Sequence, residues 1–161
     1  MRRQVVSAAA AFLFMEPATY AAHRWVMHGI GWVLHRSHHA GRVTDLRARA
    51  AALEANDAFP CVFASCTILA MALGGRRPPP SAVIGVSAGV TAYGLAYGLV
   101  HDVYIHARLG RPPGIAVLDR LADAHRLHHR FGGEPYGMLL PIVPRAVRAL
   151  SADDVPRSYG A

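Results

Sequence analysis

All ten histidines of this chain fall into four boxes that repeat one arrangement. The first half reads His23 and His28, then His35, His38 and His39. The second reads His101 and His106, then His125, His128 and His129. Each half is therefore H-x4-H followed by H-x2-H-H. A lone histidine is an ordinary core or surface residue, but a whole histidine complement used up by two matching patterns marks a metal site built from two halves. No other feature constrains the fold as strongly, because distant parts of the chain must deliver imidazoles to one place.

The spacing within each box says how. On a helix His35 and His39 face the same way and His38 stands close by, so H-x2-H-H offers several imidazoles to one point. The H-x4-H pairs lie about 140° apart on an ideal α-helix. That suits two metals, or a local distortion of the helix, better than one metal. Gly29 and Gly31 fall between the two boxes of the first half and are expected to let the chain bend or pack closely there. In the stretch 115–129, Leu118, Leu121, Ala122, His125 and His129 share one helical face, so an apolar stripe runs into a histidine stripe.

The chain between the boxes is written for a membrane. Apolar residues make up 53% of it and charged residues only 17%, where soluble proteins carry about a quarter. Residues 4–22 form an apolar run after Arg2 and Arg3. A secretory signal has similar features, but cleavage would cut into the first box, and Glu16 and Pro17 do not suit a signal core. The run is expected to be a first membrane helix that continues to His23. A second span is expected over 58–73, short for the roughly 20 residues a bilayer needs. It is preceded by Asn56 and Asp57 as N-caps and followed by the break Gly74–Pro80. Ser81 is expected to cap a third span, 82–100, whose Gly85/Gly89 and Gly94/Gly98 spacings let neighbouring helices approach within the molecule. Residues 41–55 read as a surface helix. Residues 136–144 are apolar but too short and Pro-broken to span, and could cover the site or form a fourth, re-entrant segment. Cys61 and Cys66 read as small buried apolar residues.

The expected fold class is thus an all-α integral membrane bundle of about three to four spans with histidine-rich interfacial helices. One membrane domain occupies 1–150, and a short tail, 151–161, reads as exposed and disorder-prone. Three spans put both histidine halves on one side. Thirteen of the seventeen basic residues, all Arg, share that side, with Arg2, Arg3, Arg76 and Arg77 opposite. The positive-inside rule makes the histidine side cytosolic. No basic stripe interleaved with aromatics is present, so nucleic acid is not an expected partner.

Ten imidazoles near one membrane face could give two metals several ligands each. Imidazole suits zinc, copper, iron or nickel, and affinity order alone would not select iron. Context favours a redox metal, since an apolar pocket in a membrane suits attack on C–H bonds with O2. The H-E-x-x-H signature of zinc peptidases is absent. Each ligand needs an acceptor on its other ring nitrogen, for which Asp57, Asp102, Asp123 and Glu134 are candidates. Glu16, seven residues before His23, is an ionisable group inside the bilayer and a site candidate on that ground. Phe63, Tyr93 and Tyr97 are candidates for pocket wall or for packing.

Taken with Phe14-Met15-Glu16, the EANDAF run over 54–59, VTAYGLAYGLVHD over 90–102 and AHRLHH over 124–129, the boxes resemble the bacterial non-haem di-iron β-carotene hydroxylases. That family sits within the wider fatty-acid hydroxylase and sterol desaturase group. The resemblance covers nearly all of 12–141. The chain departs from it in a longer stretch over 41–55 and in a less aromatic segment after His129. The resemblance implies an inner-membrane oxygenase that places one oxygen of O2 at C3 of a β-ionone ring, converting β-carotene through β-cryptoxanthin to zeaxanthin. It implies two iron ions held by all ten histidines, Asn56 reaching the metal through water, a carotenoid entering from the lipid, and electrons from a ferredoxin. The rival readings are a related oxygenase acting on another carotenoid, sterol or fatty acyl lipid, a non-catalytic membrane haem or metal carrier, and a zinc-dependent membrane hydrolase.

Overall fold

The computed structural model describes residues 1–40, 53–76, 82–110 and 112–154. Its elements are helical throughout. Helix α1 spans Arg2–Ala21 and continues without a break into a π-helical stretch, Ala22–Ile30. Helix α2, Trp32–Ala40, turns off it. A short 3-10 turn, Ala55–Asp57, leads into α3, Ala58–Gly75. Helix α4, Ala82–Gly98, again runs into a π-helical stretch, Leu99–Ile105. Helices α5, Ala116–Phe131, and α6, Arg145–Asp154, follow.

Three of these rods are long and apolar enough to cross a membrane: Arg2–Ile30, Ala55–Gly75 and Ala82–Ile105, of 29, 21 and 24 residues. At 1.5 Å per residue they measure about 44, 32 and 36 Å, against a hydrocarbon core of about 30 Å. The second rod is longer than its apolar run because the Ala55–Asp57 turn and Gly74–Gly75 extend it at both ends. The first and third have length to spare, and their surplus turns carry the H-x4-H boxes. Large apolar side chains, among them Leu13, Phe14, Val62, Ile68, Leu95 and Leu99, are exposed along all three rods, as a lipid-facing surface requires. Cys61 and Cys66, expected to be buried, are exposed on α3 with the rest of that surface.

Without a hydrophobic drive between helices in lipid, close backbone approach does the packing. A Cβ added at Gly85 would stand 2.6 Å from the Gln4 carbonyl oxygen of α1, and one at Gly89 would overlap the Ala8 carbonyl. Gly94 receives Phe63 of α3, 3.1 Å from where its Cβ would be. The first glycine pair therefore joins α4 to α1, and Gly94 joins it to α3, all within one chain. The interior this creates is polar at its histidine end: among the described residues, the most completely buried large side chains are Tyr93, Met138, His23, His35 and His128, with Pro135.

The expected surface helix lies outside the described residues up to residue 52, as do Arg77–Ser81 and the chain beyond 154. Helix α6 runs to Asp154. Residues 136–144 form irregular chain packed on the histidines and do not span.

Candidate metal centre

The first H-x4-H box sits within its π-helical stretch and the second runs from His101 within its stretch to His106, which caps it; this resolves the spacing that an α-helix leaves awkward. A π-helix closes i→i+5 rings, so residues five apart come into register. The His106 N–H donates to the His101 carbonyl at 2.9 Å, linking the two ends of one box directly. The imidazole centroids of His23 and His28 are consequently 5.1 Å apart, and those of His101 and His106 4.6 Å. The first stretch is kinked at Gly29, whose backbone is not helical (φ −104°, ψ −115°). Gly31 then packs so tightly under Phe59 that a Cβ there would stand 2.9 Å from its ring. This bend brings α2 back with His35, His38 and His39. On the other side α5 ends at Gly132, whose left-handed φ of 66° lets its N–H cap the His128 carbonyl at 2.8 Å.

The ten imidazoles meet in two adjoining groups. His23, His28, His35, His39 and His128 form one, and His38, His106, His125 and His129 the other, with ring nitrogens within 4.8 Å of one another in each. His101 joins the second group, its Nε2 3.0 Å from that of His38. The sequence halves interlock: His38 of the first stands with the second, and His128 of the second stands with the first. The groups touch where His39 and His129 stack at 4.3 Å.

The outward nitrogens are committed to oxygen. His35 Nδ1–H donates to Asn56 Oδ1 at 2.7 Å, and His23 Nδ1–H to the Tyr136 carbonyl at 3.0 Å. His128 Nδ1–H donates to the Gly133 carbonyl at 2.6 Å. In the second group His101 Nδ1–H meets Asp102 Oδ1 at 2.9 Å and His38 Nδ1–H meets Glu54 Oε2 at 3.3 Å. A neutral imidazole that donates through Nδ1 has a bare lone pair on Nε2. Yet those Nε2 atoms face each other, at 3.1 Å for His23 and His35 and 3.0 Å for His38 and His101. His129 Nε2 is buried with no hydrogen-bond partner among the described residues. A proton is not the missing bridge. Burial first, then the neighbouring imidazoles, hold His39 down to about 3; burial, partly offset by their hydrogen bonds, holds His35 and His128 down to about 4. Burial likewise pushes His125 and His129 far below the ordinary histidine range. Converging neutral lone pairs with oriented outer nitrogens are the donor set of imidazole-bound divalent metal, so the residues present fit a pair of such ions.

The expected supporting residues divide. Asp102 and Asn56 accept directly from histidines, Asn56 through its Oδ1 from His35. Asp57, expected beside the histidines, instead binds both guanidinium nitrogens of Arg108 at 2.8 Å and caps the Glu54 N–H. Asp123 pairs with Arg126, and Glu134 binds Tyr20 and Arg24. Glu16 faces the segment that follows α5 rather than a histidine. Tyr97 lies 5.1 Å from the His101 ring, while Tyr93 is wholly buried with its hydroxyl on Glu16. Glu54 and the carbonyls of Gly133 and Tyr136 were not anticipated. Glu54 could have been found from its place two residues before Asn56; a carbonyl leaves no mark in a sequence. A separate groove of about 420 Å³ lies between Ser7–Met15 of α1 and Val86–Val90 of α4, away from the histidines.

A membrane bundle whose buried heart is ten convergent imidazoles defines a class of histidine-rich membrane hydroxylases, and the chain belongs to the fatty acid hydroxylase family, which it matches over residues 8–148. Its similarity narrows further within that family. It is 42% identical over 122 residues to the β-carotene hydroxylase of Pantoea ananas, covering 74% of this chain and 65% of that protein. It is 38% identical over 142 residues to the β-carotene hydroxylase of Pseudescherichia vulneris, covering 84% and 76%. The chloroplastic β-carotene 3-hydroxylase of Haematococcus lacustris is 37% identical over 136 residues, 80% of this chain and 40% of that one. The chain thus spans just under two thirds of the Pantoea protein and well under half of the algal one. No solved structure matches.

Proposed function

We propose that this protein is a di-iron monooxygenase that hydroxylates C3 of the β-ionone ring, carrying β-carotene through β-cryptoxanthin to zeaxanthin at the cytosolic face of the inner membrane. The observation that carries the proposal is the pairing of bare Nε2 atoms in two adjoining groups, in a chain similar to β-carotene hydroxylases over most of its length. His23, His28, His35, His39 and His128 would hold one ion, and His38, His106, His125 and His129, with His101, the other. Iron bound there supplies the redox chemistry that activates O2 for insertion into a C–H bond.

The protein's own part is preparation. Asn56, Glu54, Asp102 and two backbone carbonyls keep the imidazoles oriented, while burial keeps His35, His39 and His128 neutral. Burial of His23, His35, His101, His125 and His128 excludes bulk water from the centre. Trp32, its ring 5.2 Å from His28 and 5.4 Å from His39, is partly exposed. It offers a flat apolar wall against which a ring arriving sideways from the lipid can lie. No flavin or nicotinamide fingerprint occurs in the chain, so electrons come from a separate donor of ferredoxin type, steered by exposed arginines such as Arg36, Arg130 and Arg145.

Expression in a bacterium that accumulates β-carotene tests the substrate. The expected result is β-cryptoxanthin and zeaxanthin among the resolved pigments. Iron-loaded protein with a working donor that leaves β-carotene unchanged removes the assignment, and a Soret band in the purified protein would point to haem instead.

A further inference from the structure

Glu16 sits midway along a membrane helix and is surrounded by donors. Its Oε1 receives the N–H groups of Met138 at 2.9 Å, Leu139 at 3.1 Å and Leu140 at 2.9 Å. Its Oε2 receives Leu139 N–H at 3.1 Å and the Tyr93 hydroxyl at 2.5 Å. Three successive amides converging on one anion form a backbone nest. The fit is close: a Cβ on Gly137 would lie 3.0 Å from Glu16 Oε1 and 3.3 Å from the Leu140 carbonyl.

The nest belongs to the segment that leaves α5 at Gly132 and folds back over the histidines. That same segment supplies the Gly133 carbonyl to His128 and the Tyr136 carbonyl to His23. Both histidines belong to the five-imidazole group. His38 and His101, on the other group, take their acceptors from Glu54 and Asp102 instead. We propose that Glu16 is a positioning residue for the five-imidazole group alone: by gripping the nest at 138–140 it sets the two carbonyls that keep His23 and His128 in the Nδ1–H form, with Nε2 free for metal. Glu134 fastens the segment a second time, through Tyr20 and Arg24, so losing Glu16 loosens the segment without releasing it.

The inference rests on the two-metal reading above, and the test separates the two. The full chain, purified metal-free in detergent, is titrated with Co(II) and read by its ligand-field absorption. Two equivalents in the unaltered protein support the two-metal reading; fewer overturn it. In Glu16→Gln, whose NH2 in the place of Oε2 can no longer accept from the Leu139 N–H or the Tyr93 hydroxyl, one equivalent should weaken 10–100-fold, the range for losing an outer hydrogen-bond partner of a metal-binding histidine. The other equivalent should keep its affinity, and amides 138–140 should exchange faster with solvent. Gly137→Ala, which crowds the carboxylate without removing it, should do the same and serves if Glu16→Gln does not fold. In a His23→Ala/His128→Ala background Glu16→Gln should remove nothing further, whereas in His125→Ala it should weaken the equivalent held by the five-imidazole group. Equal loss at both groups, or unchanged binding in both variants, overturns the proposal.

Discussion

Replacing Asn56 by Ala puts the tautomer argument under direct load. Asn56 is 8% exposed and His35 2%, and the bond between them is 2.7 Å, so water does not readily take the place of Oδ1. Two outcomes are open to the altered site. If His35 keeps its proton on Nδ1, a buried donor is left unsatisfied at about 1–3 kcal/mol. If the proton moves to Nε2, the lone pair that faces His23 and His39 is lost, and the metal must force it back at similar cost. The first cost falls on the fold with or without metal; since about 1.4 kcal/mol is a factor of ten in affinity, the second weakens metal held by the five-imidazole group about 5- to 150-fold, which brackets the 10–100-fold usual for such outer partners. Competition between the protein and a chelator for Fe(II) under anaerobic conditions measures it, with one equivalent expected to weaken and one to stay. Asn56→Asp keeps an acceptor at the same distance and should retain most of the affinity. Binding by Asn56→Ala as tight as that of the unaltered protein would refute the idea that outer acceptors set these imidazoles for metal.

Gly89→Val should push α1 and α4 apart, because even its Cβ meets the Ala8 carbonyl. Overpacking of this kind costs about 1–3 kcal/mol or more, to be read as a lower melting temperature in detergent. The metal-free protein should lose stability as pH falls. His35, His39 and His128 titrate near 4, 3 and 4 when folded but near 6.5 when unfolded, so below about pH 6.5 the unfolded chain binds more protons. A melting temperature that holds steady from pH 7 to pH 5 would contradict this. Arg130→Glu should slow turnover with a ferredoxin-type donor and flatten its dependence on salt, whereas an unchanged salt profile counts against docking at that face.

Much of the molecule was legible because lipid and metal each demand particular residues. A span needs an unbroken apolar run, so the three rods could be read directly, and the Gly85/Gly89 spacing correctly implied packing within the chain. In the two H-x2-H-H boxes the pairs four residues apart, His35 with His39 and His125 with His129, share a group as a helical face predicts, while His38 and His128 go to the opposite group. The H-x4-H boxes did not yield so simply. Their 140° offset held only until the surplus turns of α1 and α4 took up π-helical register, which no local propensity in AHRWVMHGI or LVHDVYI announces. Asp57 was misplaced beside the histidines because its neighbour in sequence, Asn56, does reach one; the guanidinium that claims it, Arg108, comes from a distant part of the chain.

By itself the sequence determined the inventory: ten imidazoles, three apolar rods, and an asymmetry of charge along the chain. These follow from composition and short-range periodicity, which local geometry converts into structure with little freedom. Only the tertiary structure decided how that inventory was shared out. It sent His38 to the second group and His128 to the first, turned two backbone carbonyls into tautomer-setting acceptors, and gave Glu16 a nest in place of a metal. The physical reason is that those choices depend on which donors and acceptors meet across the bundle, and a carbonyl is present at every residue whatever its side chain.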